Sequence, residues 1–440
     1  MNEIILRYKN FFSVLVRWII FGSIIGIIVG STTTFLLETN DYLGEIREKR
    51  DWLIFLLPLG GLVLGYVYMS YGKVFLNNTL NDTAELNNLV IDAVHGKKSV
   101  PRRMGPIVYL GTFITVFFGG STGREGAAVQ MGGSIAAAVN RFFRLNIFDS
   151  KLFIMSGISA GFGAAFGAPI TGAVFGMEMA ALGKLKFEAL VPCLAASFVG
   201  HFMTTAALGH KHEEFIIQLV PQLSVMTFIK VILAAVMFSL LSVLYCQMRH
   251  GIQTFSEKLF KKNHMKRAFV GGIVIVALTL IAGSQDYNGR GLEMLQQSFK
   301  EDVPPFAFLA KLVFTAVTLG TGFVGGEAIP LFFMGATLGN TLHTFMDLPM
   351  SFLAALGVIA VFCGGANTPI AAFLLAMEMF DGKGIEYFFV ACIVSYLFSG
   401  HHGLWPSQKI YEPKSRLYQI AHGETIENVE KKKKALDIMK

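Results

Sequence analysis

The segment Phe11–Leu37 constrains this chain more than any other feature, because Arg17 is its one charge over 27 residues. A run that long exceeds the roughly 20 apolar residues needed to cross the hydrocarbon core of a bilayer. Backbone polar groups in hydrocarbon must be bonded within the protein, so such a run is a helix. Further apolar stretches follow at Trp52–Tyr71, Leu190–Leu208, Val225–Tyr245, Phe269–Ala282 and Phe306–Thr321. Only 15% of residues are charged, against about 25% in soluble proteins. The chain is therefore a polytopic integral membrane protein. The first segment is too long for the core of a cleaved leader, and no A-x-A-like site follows it. Its Gly22-x-x-x-Gly26-x-x-x-Gly30 spacing places small residues on one face, which suits close helix contact in lipid.

The loop charges give an orientation. Arg7 and Lys9, the 95–103 loop with Lys97, Lys98, Arg102 and Arg103, and the 249–267 loop with Arg249, Lys258, Lys261, Lys262, Lys266 and Arg267 are basic. The loops near 38–51, 210–214 and 284–302 are balanced or acidic. This alternation places both termini in the cytoplasm. The net charge of +7 is spread over these loops and a Lys431–Lys434 run, and is no nucleic-acid signature. That run reads as a solvated face, with anionic lipid as its other partner class. Cys193, Cys246, Cys363 and Cys392 all sit in apolar segments and read as buried small hydrophobes. No cofactor or metal motif is present: His212-Glu213-Glu214 lacks the second histidine of a zinc helix. Gly157-Ile158-Ser159-Ala160-Gly161 matches G-x-S-x-G, but a nucleophile elbow needs a strand before it. Here the surrounding segment reads as helix, so an intramembrane hydrolase using His201 or His401 is the weaker alternative to a non-enzymatic role.

The chain also repeats itself. Pro169-Ile170 and Met177-Glu178-Met179 recur 200 positions later as Pro369-Ile370 and Met377-Glu378-Met379. Gly123-Arg124-Glu125 is echoed by Gly325-Gly326-Glu327, and Gly133 by Gly335. Two blocks in one order imply two homologous halves, roughly 10–208 and 225–410. Within them, Pro106–Phe118, Ala127–Val139, Leu152–Phe166, Pro330–Phe345, Phe352–Phe362 and Pro369–Phe380 are too short to span. Runs of that size predict helices that stop inside the membrane, where irregular backbone survives only buried in protein or lining a wet cavity. Transporters built from repeats place substrate at such breaks.

The breaks carry the candidate chemistry. Gly119-Gly120-Ser121-Thr122-Gly123-Arg124-Glu125-Gly126 leads straight into a helix, and Gly325-Gly326-Glu327-Ala328-Ile329-Pro330 does the same in the second half. Exposed N–H groups at a helix start attract anions, so two helix N-termini are expected to face one anion. Each turn also holds a glutamate, costly at bilayer depth. An ion pair between Glu125 and Arg124 is set aside, since neighbours on a helix do not face each other. Glu125 and Glu327 are instead read as tethered anions whose protonation couples proton to anion movement. Glu178 and Glu378 occupy equivalent places, and their symmetry implies a shared capping role.

Gly123-Arg124-Glu125-Gly126-Ala127-Ala128-Val129-Gln130 resembles the G-R/K-E-G-x-x-V-Q signature of the CLC chloride channel and transporter family. The resemblance covers residues of about 50 to 410. It implies an all-α integral membrane CLC-type fold of two inverted repeats with many partial-spanning helices, in a homodimer with one pathway per subunit. The membrane domain is then 1–424, with a basic cytoplasmic tail at 425–440. By this likeness Glu125 is the gating glutamate, and the Gly123, Arg124, Gly126 and Ala127 turn and the Glu327, Ala328 and Ile329 amides line the anion pathway.

Finer features resemble the fluoride/proton antiporter branch. Glu85-Leu86-Asn87-Asn88-Leu89-Val90-Ile91-Asp92 is similar to its G-N-N-L-I-x-D stretch, where chloride members carry G-S-G-I-P. Glu327 stands where chloride members have a hydrophobic residue. Met179 stands where chloride/proton exchangers have a second acid. Three positions depart from the branch: Leu86 for glycine, Ile329 for threonine, and Trp405 for the tyrosine whose hydroxyl meets the anion. The resemblance thus implies fluoride export coupled to proton import, with Asn87, Asn88 and Trp405 joining the anion site. A chloride/proton antiporter or passive chloride channel of the same fold is the alternative.

Overall fold

The computed structural model describes residues 2–71, 86–261, 263–417 and 419–438; Glu85 and Lys262, quoted above, lie outside them. The first half runs through α1 (Asn2–Glu48), α2 (Leu57–Tyr71), α3 (Leu86–Val94), α4 (Met104–Phe117), α5 (Glu125–Phe143), α6 (Ile147–Phe166), α7 (Pro169–Glu178) and α8 (Leu190–Phe202). The second follows with α9 (Val225–Phe260), α10 (His264–Ala282), α11 (Leu292–Gln297), α12 (Ala307–Gly320), α13 (Ala328–Met346), α14 (Met350–Ala366), α15 (Pro369–Met379) and α16 (Ile385–Phe398). The two series correspond element by element. Both α4 and α12 have 14 residues, and both α5 and α13 have 19.

Packing repeats as well. A Cβ on Gly132 would lie 2.1 Å from the Gly157 carbonyl oxygen, and one on Gly335 would lie 2.1 Å from that of Gly357. The α5–α6 and α13–α14 pairs are therefore in backbone contact at matching points, as small residues permit in membranes. The expected face of α1 forms the same way. Gly22, Gly26 and Gly30 meet Pro192, Ala196 and Gly200 of α8.

Tyr8–Glu48, Asp51–Ser70, Phe187–Ala207, Val225–Phe260 and His264–Ala282 are long and apolar enough to cross a membrane. Several helices outgrow the apolar runs that announced them. Ala127–Val139 is the middle of α5, which gains polar ends at Glu125 and Arg141. Glu125 is buried at the glycine turn, whereas Arg141 is exposed and donates to the Val100 carbonyl at 2.8 Å, so hydropathy undercounts the helix at both ends. One correction is larger. Arg249 and Lys258, counted above as loop cations, lie within the 36-residue α9, and Arg249 is buried.

Among the described residues, strands are confined to a small sheet. β1 (Ala181–Leu182) pairs parallel with β2 (Lys409–Ile410), which pairs antiparallel with β3 (Glu424–Thr425). A terminal helix, α17 (Ile426–Ile438), sets Ile426 and Val429 against Leu182 and Ile410. All four cysteines are buried and free.

Candidate functional site

The two glycine turns meet. The Gly123 N–H donates to the Gly326 carbonyl at 2.8 Å, and the Gly326 N–H returns a bond to Gly123 at 2.7 Å. This reciprocal antiparallel bridge is what a two-fold relation between repeats produces. It brings the starts of α5 and α13 to one point. Gly126 completes the approach, since a Cβ there would lie 2.8 Å from the Gly326 Cα.

The bridge also corrects two assignments. Gly123 spends its N–H on Gly326, and Ala127 donates to the Arg124 carbonyl at 3.0 Å. Neither amide is open to an anion. Among the described residues no backbone partner competes for the amides of Gly126, Ala328 and Ile329, consistent with their places in the first turns of α5 and α13.

The Glu125 carboxylate folds back onto its own turn. Oε2 accepts the Arg124 backbone N–H at 3.0 Å, and a Cβ on Gly123 would lie 2.6 Å from that oxygen. A carboxylate thus occupies amides that suit a free anion. The ion pair dismissed from the sequence exists in loose form. Arg124 Nε lies 3.7 Å from Glu125 Oε1. The helix-face argument failed because Arg124 is the residue before α5, with φ −117°. The rest of its guanidinium serves α1. Nη1 donates to the Leu37 carbonyl at 2.5 Å and meets Asp41 Oδ1 at 2.6 Å, an oxygen shared with Arg290 at 2.6 Å. Arg124 therefore holds the turn to α1 rather than offering its guanidinium to the pathway.

Glu327 sits at the equivalent position before α13 but is held differently. Tyr245 OH donates to its Oε1 at 3.0 Å, and Arg249 Nε lies 3.3 Å from the same oxygen. Both partners come from α9, and all three side chains are buried. The sequence reading missed them because Arg249 looked like the start of a basic loop.

Two small cavities lie between these groups. One, of about 30 Å³, is lined by Asn87, Glu125, Gly126, Glu327, Ala328, Trp405 and the rings of Phe162, Phe166, Phe175 and Phe362, among others. The other, of about 10 Å³, is lined by Asn87, Gln130, Arg249 and Glu327 with apolar neighbours. A site needs roughly 10–15 Å³ to hold one water, so these spaces suit single small ions. Asn87 and Glu327 form the wall common to both. Trp405 Nε1 and Asn87 Oδ1 are buried without hydrogen-bond partners among the described residues, which is costly unless something transient satisfies them. Asn88 does not bring its oxygen to the pathway. Its Oδ1 accepts the Ser407 N–H at 3.0 Å and fixes the segment carrying Trp405. Ile329 packs against Gly123, at 3.3 Å from a Cβ there.

The capping role read from symmetry is present and crosses the repeats. Glu178 accepts the N–H groups of Ile370 and Ala371 at 3.2 and 2.8 Å, at the start of α15. Glu378 accepts those of Ile170 and Thr171 at 2.9 and 2.7 Å, at the start of α7. Ser159 lies inside α6 with no strand before it, and its hydroxyl faces the Ala173 carbonyl at 3.4 Å. That is a packing contact, not a nucleophile elbow.

Comparison with known proteins decides the family. Residues 74–400 match the voltage gated chloride channel family. The chain is 39% identical over 401 residues to the "Chloride/fluoride channel protein" of Pseudomonas syringae pathovar tomato, covering 90% of this chain and 86% of that one. The chain belongs to the CLC family. A more distant CLC relative is the H(+)/Cl(-) exchange transporter of Yersinia pestis, 25% identical over 295 residues, covering 63% of this chain and 61% of that one. Among solved CLC structures, a CLC-type fluoride/proton antiporter superposes with a TM-score of 0.85 at 29% identity, covering 90% of this chain and 98% of that one. A slow cyanobacterial Cl-/H+ antiporter superposes with a TM-score of 0.71 at 17% identity, covering 87% and 94%, and supports the fold alone. The CLC match makes this an ion-transport protein with the membrane fold of two repeats.

Proposed function

We propose that the chain exports fluoride in exchange for protons, with Glu125 alternating between anion mimic and proton carrier. The observation that carries this reading is the Glu125 carboxylate seated on the amides of its own turn, beside a 30 Å³ cavity that it lines with Glu327, Asn87 and Trp405. Protonation weakens the carboxylate's hold on the N–H groups and frees them for a mobile anion. Deprotonation returns it and expels that anion. Each occupant must favour a different conformation for the exchange to couple.

Fluoride is favoured over chloride by three features. The cavities suit single water-sized ions. A small, strongly hydrated anion needs close donors, which the Trp405 indole, the Asn87 side chain and the amides of Gly126, Ala328 and Ile329 supply. The name of the fluoride/proton antiporter structure points the same way, while the Pseudomonas relative is named for both anions. The ring of phenylalanines speaks for the rival, since weakly hydrated chloride tolerates an apolar wall better. Glu327, a second carboxylate on the pathway, is the candidate for the proton's inner route.

From the alternation of loop charges we place both termini in the cytoplasm, and by likeness to the family we assemble the chain as a homodimer. Exposed Ile170, Phe198, Ile370 and Phe389 of α7, α8, α15 and α16 offer an apolar face for that contact. The segment 425–440 is proposed as a basic cytoplasmic tail anchored through α17.

The deciding experiment loads proteoliposomes with equal fluoride and chloride and follows both anions with external pH. Fluoride efflux with proton uptake, lost in Glu125→Gln, supports the exchanger. Chloride efflux that equals or outruns fluoride assigns the protein to chloride, and efflux without proton movement makes it a channel.

A further inference from the structure

A cavity of about 400 Å³ opens beside α6. Lys97, Lys98, Lys151 and Arg141 contribute to its wall, with Ser150 and Asn140 between them. Asp92 is the acid at hand and pairs with Lys98 at 3.0 Å. Among the described residues no carboxylate pairs with Lys97 or Lys151. The Lys151 ammonium instead rests against Gly96, within 3.0 Å of a Cβ there. Crowding extends beyond the rim. Burial, and after it Lys97 and Lys151, lower the proton affinity of Lys409 below its ordinary value, while Asp92 acts in the opposite sense and Lys186 adds to the lowering. Concentrated like charge that the fold leaves uncompensated is a place for an anion.

Lys151 is also the wall of a second space. A groove of about 570 Å³ runs along the first turns of α1, lined by Phe11, Val14, Leu15, Trp18, Leu152 and Val191, with Lys151, Lys186, Asp149 and Glu188 at its edge. Asp149 is taken up by Arg17 and Glu188 lies beside Lys186, which leaves Lys151 to face both spaces. Phe11 and Val14 are exposed at 65% and 52%, at the end where α1 enters its long apolar span. A cationic cavity and an apolar groove sharing one lysine match the two parts of one kind of molecule.

We propose that this is a binding site for an anionic phospholipid of the adjacent leaflet. Its phosphate lies among Lys97, Lys98, Lys151 and Arg141, and one acyl chain runs along α1 in the groove. The lysines of the tail are a poorer site, because Lys432 already pairs with Glu424 at 2.6 Å and Lys431 pairs with Glu427. The proposal is independent of which anion the protein transports.

Native mass spectrometry of the purified protein, titrated with phosphatidylglycerol and with phosphatidylcholine, tests it. Each lysine near a membrane surface contributes about 1 kcal/mol toward anionic lipid. Lys97→Gln with Lys151→Gln is therefore expected to weaken phosphatidylglycerol binding by about tenfold or more, with phosphatidylcholine unchanged. Lys→Arg at both positions is expected to retain binding, and Lys431→Gln with Lys432→Gln to leave it intact. Leu15→Gln reports on the groove and is expected to weaken the intact lipid while sparing soluble glycerol phosphate. Equal lipid binding by the wild type and the Lys97/Lys151 pair overturns the site. Soluble glycerol phosphate binding as tightly as the lipid overturns the lipid assignment. Should the double variant aggregate, Lys97→Gln alone, at an exposed position, carries the same comparison.

Discussion

The two glycine turns occupy equivalent places, yet their glutamates are held by opposite means. Glu125 rests on backbone N–H of its own turn, with a guanidinium nitrogen no closer than 3.7 Å. Glu327 is bound by two side chains from another helix, Tyr245 at 3.0 Å and Arg249 at 3.3 Å. A carboxylate on backbone amides can be exchanged for any small anion that reaches them. One clamped by a phenol and a guanidinium is fixed in place. Duplication supplied two anion-binding helix starts, and divergence at α9 anchored one acid while leaving the other able to move.

The contrast predicts its largest effect at Arg249. Arg249→Met leaves Glu327 buried beside a phenol with no positive partner, a change that costs roughly 3–5 kcal/mol. Thermal unfolding in detergent should show a large loss of stability, mostly recovered in Arg249→Met with Glu327→Gln. A single variant as stable as the wild type would mean that Glu327 is not held as an ion, and the contrast would collapse.

Glu125→Gln is expected to behave in the opposite way. It removes a group that bonds backbone N–H and pairs only loosely with Arg124, so stability should change little. Proton-coupled anion flux should fall by roughly a hundredfold, the lower range for loss of a positioned proton carrier. Stopped-flow fluoride and pH traces from one vesicle preparation measure both. Coupling that survives this change moves the proton role to Glu327.

The glycines sharpen the same comparison. At Gly126 an added methyl meets the Gly326 backbone at 2.8 Å, which cannot yield. Gly126→Ala should therefore lose about 1–3 kcal/mol of stability through overpacking. At Gly123 the methyl meets the Glu125 carboxylate at 2.6 Å instead. Gly123→Ala should push that carboxylate off its amides and raise uncoupled leak. Equal stability losses in the two variants would show that the carboxylate is as fixed as the backbone.

Much of this was legible in the sequence because repetition and hydropathy report on backbone. The paired helices, the meeting turns and the cross-capping by Glu178 and Glu378 all follow from spacing. What stayed hidden involves side chains that reach between elements distant in sequence. Arg249 looked like a loop cation because charge seldom sits inside a span, and only its partner explains the exception. Asp41 and Arg290 gave no local signal. Gly123 and Ala127 were assigned to the anion because a helix start exposes amides, but the Gly123 amide is used across the repeats by Gly326 and the Ala127 amide locally by the Arg124 carbonyl.

Trp405 carries the smallest and most discriminating prediction. Its Nε1 is a buried donor with no partner among the described residues, at a cavity it shares with Glu125. Its ring packs edge-on against Phe175 at 6.0 Å. Trp405→Phe keeps an aromatic body there but removes the N–H. A hydrogen bond to a charged partner contributes about 1.5–3 kcal/mol, and part of that is regained by relieving an orphaned donor when the anion is absent. Fluoride flux should therefore fall by about five- to thirtyfold. Chloride flux should fall less, since a larger, softer anion depends less on one donor, so the fluoride to chloride ratio measured in the same vesicles should drop. An unchanged ratio would mean that the indole faces the cavity without touching the ion, and that selectivity rests on the amides at the starts of α5 and α13.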